Sequence, residues 1–345
     1  MNSDAVAGVR DPGRRSQRLQ TDILRSVSRS FYLSIRFLPT QLRAPIALGY
    51  LLARTTDTVA DTAGVSRSVR FEALKTLSEA IQAKASREIV INQVASFVPL
   101  QENAAERTLL ESLPDCLEWL QQIDGADRED IRAVLEKITQ GQMLDLNHFD
   151  NPAEIRALQT AADLDEYTYL VAGCVGEFWT KLCFRHLRGF ASLSHDEMLP
   201  LGRRYGMGLQ LINVLRDAGS DLRVGRCYFP EDELRAVGIS ASQILSEPDR
   251  FQSIYQRWMK KAQDGLQCGM QYSRAIENWR VRGATVLPAL IGARTLALLY
   301  RTGASALEKK IKIPRSEVRE MILSLATHFA SRKQIDAIFN RARVS

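Results

Sequence analysis

From Leu19 onward, apolar residues recur at three-to-four spacing in long segments, and only short breaks at Pro39, Gly64, Pro99, Gly125, Pro152, Pro200, Pro230, Pro248 and Pro314 separate them. That spacing is the period of a helix with one buried face. No run of period-two alternation rich in Val, Ile and Thr lasts long enough to form a sheet, and no fixed-period repeat is evident. The expected class is therefore all-α. At 345 residues the chain is long enough for two domains, since single cores stop growing near ~250–300 residues. The breaks are short and none reads as a flexible linker, so the expectation is one helical domain over residues 19–345, its helices arranged around a common centre. Residues 1–18 mix Gly, Ser, Asp, Pro12 and four arginines with almost no large apolar side chains, which predicts a flexible basic tail.

Composition excludes several functions. Cys116, Cys174, Cys183, Cys227 and Cys268 contain no Cys-x-x-Cys pair, and His148, His186, His195 and His328 lack zinc-like spacing. Neither a structural zinc nor a disulfide framework is expected. An odd number of cysteines behind an N-terminus without a signal peptide fits a reducing, cytoplasmic setting. The longest apolar stretch, Ala284 to Tyr300, is cut by Pro288 and Arg294 and falls short of the ~20 residues a membrane span requires. The net charge of +6 is spread along the chain with no basic stretch interleaved with aromatics, so nucleic acid is not an expected partner.

Two acidic patterns carry the chemistry. In Leu48-Gly-Tyr-Leu-Leu-Ala-Arg-Thr-Thr-Asp-Thr-Val-Ala-Asp61, the residues Tyr50, Arg54, Asp57 and Asp61 form one continuous helical stripe. Pro45 just upstream suits a first helical turn. Two carboxylates four residues apart repel each other by a few tenths of a kcal/mol (~0.2–0.5), so something should compensate them. Solvent exposure accounts for most such pairs, but it leaves the arginine and the aromatic ring on the same stripe unexplained. In the second pattern, Gln210-Leu-Ile-Asn-Val-Leu-Arg-Asp-Ala-Gly-Ser-Asp221, the residues Asn213, Asp217 and Asp221 recur every four positions behind Gln210. Leu209, Ile212, Val214 and Leu215 surround this face, and an unpaired carboxylate in such surroundings is costly.

Two oxygen-rich faces without His or Cys suit Mg²⁺, which bridges carboxylates to substrate phosphates. The pair therefore reads as a diphosphate-binding site, with Arg54, Arg216, Arg223 and Arg226 as candidate phosphate partners. A solvated surface role is the plain alternative for each arginine taken alone. A third segment, Tyr167-Thr-Tyr-Leu-Val-Ala-Gly-Cys-Val-Gly-Glu-Phe178, reads mainly as core, through Val171, Ala172, Gly173 and Gly176. Tyr167 differs, because a phenol can face a carbocation with its π-system or exchange a proton through its hydroxyl.

With Ser28-Arg-Ser-Phe-Tyr32, Tyr50 to Asp61, Tyr167 to Gly176, and Tyr205 to Pro230 in this order, the chain resembles squalene and phytoene synthases, especially bacterial squalene synthases, from about Ser28 to about Arg315. The resemblance implies a trans-isoprenoid synthase fold with a central cavity between antiparallel helices. It implies that Asp57, Asp61, Asn213, Asp217 and Asp221 hold Mg²⁺, and that Ser28, Arg29, Ser30, Arg54 and Arg226 contact diphosphate. Phe31, Tyr50 and Tyr167 would line the reaction centre, with Gln210 beside it.

The implied reaction joins two farnesyl diphosphates head to head through presqualene diphosphate, ending in squalene by hydride capture from NADPH or in a dehydro product by proton loss. Dehydrosqualene, phytoene and presqualene diphosphate synthases are the rival readings within the family, and an inactive helical assembly factor is the rival outside it. Intact acidic clusters argue against the last. No Gly-x-Gly-x-x-Gly turn or P-loop occurs, so any NADPH site would be non-Rossmann. The C-terminal anchor of eukaryotic members is not seen, yet a greasy substrate and product leave room for peripheral contact with the inner face of a membrane.

Overall fold

The computed structural model describes residues 12–149, 153–309, 311–328 and 331–344, with the backbone alone at 12, 29–31, 33, 328 and 344. Helices dominate, as the periodicity predicts, and the chain divides into two compact units. Unit 1 comprises residues 1–36 and 43–135, and unit 2 comprises 37–42 and 136–345.

In unit 1, the part of the helix Thr40–Asp61 from residue 43 onward carries the first acidic pattern. Ile46, Ala47, Leu48, Leu51, Leu52 and Val59 are buried from it, which leaves Tyr50, Arg54, Asp57 and Asp61 on the less enclosed side. Burial of that apolar face outweighs the backbone bond lost at Pro45, which lies inside this helix and not in its first turn. The far end is tied down when Gln101 Nε2 donates to Thr62 Oγ1 at 2.9 Å, and Gly64 then turns the chain at φ 75°. The helix Arg67–Ile81 buries Ala73, Leu74, Leu77, Ala80 and Ile81, one face at helical spacing. Asn103 caps the helix Ala104–Glu111 by accepting from Ala105 N at 2.9 Å.

The expected flexible tail lies partly outside the described residues. Its last part, Pro12–Arg18, is a helix, and Arg15 Nη1 donates to Glu118 Oε2 at 2.7 Å. Low hydrophobicity left this segment reading as a tail, but the ion pair and the burial of Leu19 directly after it supply what its own side chains lack.

In unit 2, the helix His195–Arg223 carries the second acidic pattern. It starts at a reciprocal cap: Ser194 N donates to Glu197 Oε2 at 2.9 Å and Glu197 N to Ser194 Oγ at 3.3 Å. Pro200, expected to break the chain, sits inside this helix. One missing N–H costs a single bond, which the cap and the packing on both flanks outweigh. Those flanks are unusually close. A Cβ on Gly176 would stand 2.0 Å from the Gly202 carbonyl oxygen, and one on Gly208 would stand 2.7 Å from Gly265 Cα. Bare glycines thus let the helices Cys174–His186 and Pro248–Ala275 approach His195–Arg223 backbone to backbone. This agrees with the reading of Gly173 and Gly176 as core.

Two strands escaped the sequence reading. β1 (Arg156–Leu158) and β2 (Arg226–Pro230) pair in parallel, with Arg156 opposite Arg226. Three and five residues are too short to display a period of two. The helix Trp279–Thr302 is not broken at Pro288. The stretch Trp279–Leu307 is long and apolar enough to cross a membrane by composition, but 67% of its apolar window is buried inside the protein, as in a core helix. All five cysteines are buried and unpaired.

Candidate active site

In unit 1 the site centres on Arg54. Its Nη1 donates to Asp57 on its own helix, and its Nη2 donates to Glu106 on the helix Ala104–Glu111, while its Nε is buried with no hydrogen-bond partner among the described residues. Burial, and then the neighbouring Asp61 carboxylate, push Asp57 up to about 6 against the pull of Arg54. Tyr50, half-buried, lies within electrostatic reach of Arg54, and Asp61 is exposed. The stripe read from the sequence thus exists, and the neighbouring Asp61 adds to the burial that disfavours ionisation of Asp57.

Unit 2 holds a second acidic face. Asn213 Nδ2 donates to Gln210 Oε1 at 3.3 Å, and Arg216 forms a bidentate pair with the adjacent Asp217, at 3.1 Å from Nε and 2.5 Å from Nη2. Burial and the nearby Asp217 raise Asp221 to about 7, although Arg226 and Arg216 pull it down. Arg223, a candidate phosphate partner, instead returns to its own helix, donating to the Gly219 carbonyl at 2.6 Å. Strand β2 delivers Arg226, whose Nη1 lies 3.2 Å from Asp145 Oδ2, and Tyr228, whose hydroxyl donates to Asp145 Oδ1 at 2.5 Å. The Tyr167 ring stacks on Tyr228 with centroids 4.8 Å apart, and its hydroxyl donates to that of Tyr228 at 3.4 Å. Burial lifts the Tyr167 phenol well above its ordinary range.

The structure gathers Tyr50, Arg54, Asp57 and Asp61 within unit 1, and Tyr167, Gln210, Asn213, Arg216, Asp217, Asp221 and Arg226 within unit 2. Ser28 interrupts the helical backbone at φ −156° and accepts from Tyr32 N at 3.0 Å, just where the helix Arg29–Phe37 begins. The side chains of Arg29, Ser30 and Phe31 lie outside the described residues. Sequence reasoning missed Glu106, Asp145 and Tyr228. Asp145 carried a weak signal, a lone carboxylate in the apolar run Met143-Leu144-Asp145-Leu146. Glu106 carried none, because only the fold brings it to Arg54.

The residues suit a hard divalent cation. Among the described residues no three His, Cys, Asp or Glu side chains converge as a ready-made metal cage. Each face instead offers a pair of carboxylates, one of which is raised by burial and by its neighbour, Asp57 to about 6 and Asp221 to about 7, donors for an ion that takes its other oxygens from water and a phosphate. The helix Glu231–Ala236 that follows β2 opens with Glu231, Asp232 and Glu233, which repel phosphate.

Comparison with known proteins accords with this geometry. The chain is 28% identical over 242 residues to the bifunctional lycopene cyclase/phytoene synthase of Phaeosphaeria nodorum, covering 69% of this chain and 38% of that protein. It is 25% identical over 308 residues to the squalene synthase of Cyberlindnera jadinii, covering 89% of this chain and 66% of the relative. The chain therefore spans from about a third to about two thirds of the length of these relatives. Among solved structures, TcSQS in complex with the ligand BPH1237 superposes with a TM-score of 0.72 at 19% identity, covering 96% of this chain and 98% of that one, which shows a shared fold. Residues 24–317 match the squalene/phytoene synthase family, and the chain belongs to that family.

Proposed function

We propose that the protein is a Mg²⁺-dependent prenyltransferase that condenses two farnesyl diphosphates head to head, by way of presqualene diphosphate, to squalene. The observation that carries this reading is the pair of acidic helical faces, in each of which a carboxylate is held up by burial and a like-charged neighbour. A protein that only had to be stable would gain by replacing them. Asp57 and Asp61 on one helix would hold Mg²⁺ in unit 1, and Asn213, Asp217 and Asp221 on another would hold it in unit 2. Bound there, Mg²⁺ supplies the charge that makes diphosphate a leaving group.

The chain's own side chains do the rest. Arg54, Arg216 and Arg226 are oriented by carboxylates and would present their remaining N–H groups to phosphate oxygens, together with the Ser28 to Ser30 segment. Tyr167, stacked on Tyr228 and largely out of water, would face the allylic cation left by ionisation. Excluding water is as important as charge, because a free cation would be quenched as an alcohol.

NADPH as the hydride source for squalene is proposed from the likeness to squalene synthases alone. The phytoene synthase relatives support a second reading, a dehydrosqualene or phytoene synthase that uses the same residues and ends in proton loss. Release of inorganic diphosphate from farnesyl diphosphate tests the shared core of both readings. Release with Mg²⁺ that stops on chelation and returns on re-addition is expected. Absence of release in either condition, from farnesyl diphosphate and from its C20 homologue geranylgeranyl diphosphate alike, would exclude both readings.

A further inference from the structure

Asp145 serves two donors from one strand. Arg226 and Tyr228 are two residues apart on β2 and so project to the same side, and both reach the Asp145 carboxylate: Tyr228 at Oδ1, 2.5 Å, and Arg226 at Oδ2, 3.2 Å. The Asp145 side chain is 13% exposed, and Tyr228 is 6% exposed. Paired with a guanidinium, Asp145 is a carboxylate and can only accept. The Tyr228 hydrogen is therefore spent on Asp145, and its oxygen is left to accept from Tyr167. At 3.4 Å that second bond is long for two hydroxyls, so the ring stack sets its distance and Asp145 sets its direction.

With its hydrogen turned toward Tyr228, the Tyr167 oxygen has only lone pairs to offer in its other directions. We propose that Asp145 is a positioning residue that, through Tyr228, makes Tyr167 present an oxygen lone pair and a π-face, and not a proton, to the electron-poor carbon of the ionised substrate. No bond forms or breaks in this arrangement. It rests on the proposed function for the identity of the cation and deepens it by giving Tyr167 an acceptor role. The same carboxylate also fixes Arg226, so one side chain ties the orientation of a phosphate partner to that of the ring facing the cation.

Tyr228→Phe is the direct test, because it deletes the hydroxyl while keeping the ring stack and the Asp145–Arg226 pair. In single turnovers with farnesyl diphosphate, Mg²⁺ and NADPH, the ratio of cyclopropyl intermediate to final hydrocarbon should rise about tenfold, equivalent to losing ~1.4 kcal/mol in the later step. Tyr167→Phe should shift the ratio in the same direction, and the double variant should be no worse than the poorer single one. A second readout needs no substrate. In protein carrying ¹³Cζ-tyrosine, the Tyr167 resonance should move in both Tyr228→Phe and Asp145→Leu. A wild-type ratio in Tyr228→Phe, or a Tyr167 resonance unmoved in both variants, overturns the proposal. Wild-type protein that consumes no farnesyl diphosphate would instead contradict the proposed function, and the resonance test would still decide the hydrogen-bond chain.

Discussion

Glu106 holds Nη2 of Arg54 across 52 residues of sequence, while the same guanidinium grips Asp57 on its own helix. An arginine spanning two carboxylates is set in both position and rotation. A lysine in its place offers a single point charge and cannot bridge both partners. Arg54→Lys should therefore lower kcat/KM for farnesyl diphosphate by about 10–100-fold, the effect of ~1.4–2.7 kcal/mol. Glu106→Gln, which keeps a hydrogen-bond acceptor, should cost less and act mainly through KM. Steady-state kinetics on both variants check the order of the two effects.

Asp57→Asn and Asp217→Asn should each remove most turnover while leaving the helical circular dichroism signal unchanged. Each substitution replaces a charged oxygen by a neutral one on a different acidic face. Near-normal activity in either variant would contradict the assignment of two metal-binding faces.

Asp221 gives a prediction about pH. Its folded pKa, about 7, lies above the ordinary 3.8, so between these values the folded protein binds more protons than the unfolded chain. Its ionisation therefore opposes folding. The penalty is fully present above about pH 7 and is relieved as pH falls toward 4. In the presence of a chelator at pH 8, Asp221→Asn should melt higher than wild type, by about 2–4 °C for each ~1 kcal/mol relieved. The gain should shrink toward pH 4. Adding Mg²⁺ should stabilise wild type more than the variant, which thermal melts with and without the metal would show.

Much of this architecture was legible because it is local. The four-residue spacing of Asp57 and Asp61, and of Asn213, Asp217 and Asp221, survives directly as helix faces, since a helix turns periodicity into geometry. Proline was a poorer guide: Pro45, Pro200 and Pro288 all sit inside helices, because tertiary packing outweighs one missing bond. The partners of the site residues were illegible for a different reason. Glu106 meets Arg54, and Asp145 meets Tyr228 83 residues away, through folding that no local pattern encodes. Strand β2 hid its role as well, since five residues between two helices give no period to read.

The close helix contacts of unit 2 give a stability prediction. Gly176→Ala places a Cβ 2.0 Å from the Gly202 carbonyl oxygen, a backbone atom that cannot swing aside. Overpacking of this kind costs about 1–3 kcal/mol. The variant should melt at lower temperature or fail to accumulate in soluble form, whereas alanine at Gly125, where the nearest atom is the Arg128 guanidinium at 3.9 Å, should not meet this clash. Thermal denaturation of the two proteins side by side checks the difference.

The most direct measurement is the identity of the lipid formed when purified protein is given farnesyl diphosphate and Mg²⁺, with and without NADPH. The final cation has to be quenched by a hydride or by loss of a proton, and the product records which. Squalene is expected when NADPH is present, and presqualene diphosphate with dehydro or hydroxylated products when it is withheld. One dehydro product, identical with and without NADPH, would move the protein to the dehydrosqualene or phytoene branch, and no head-to-head product under either condition would contradict head-to-head condensation of farnesyl diphosphate itself.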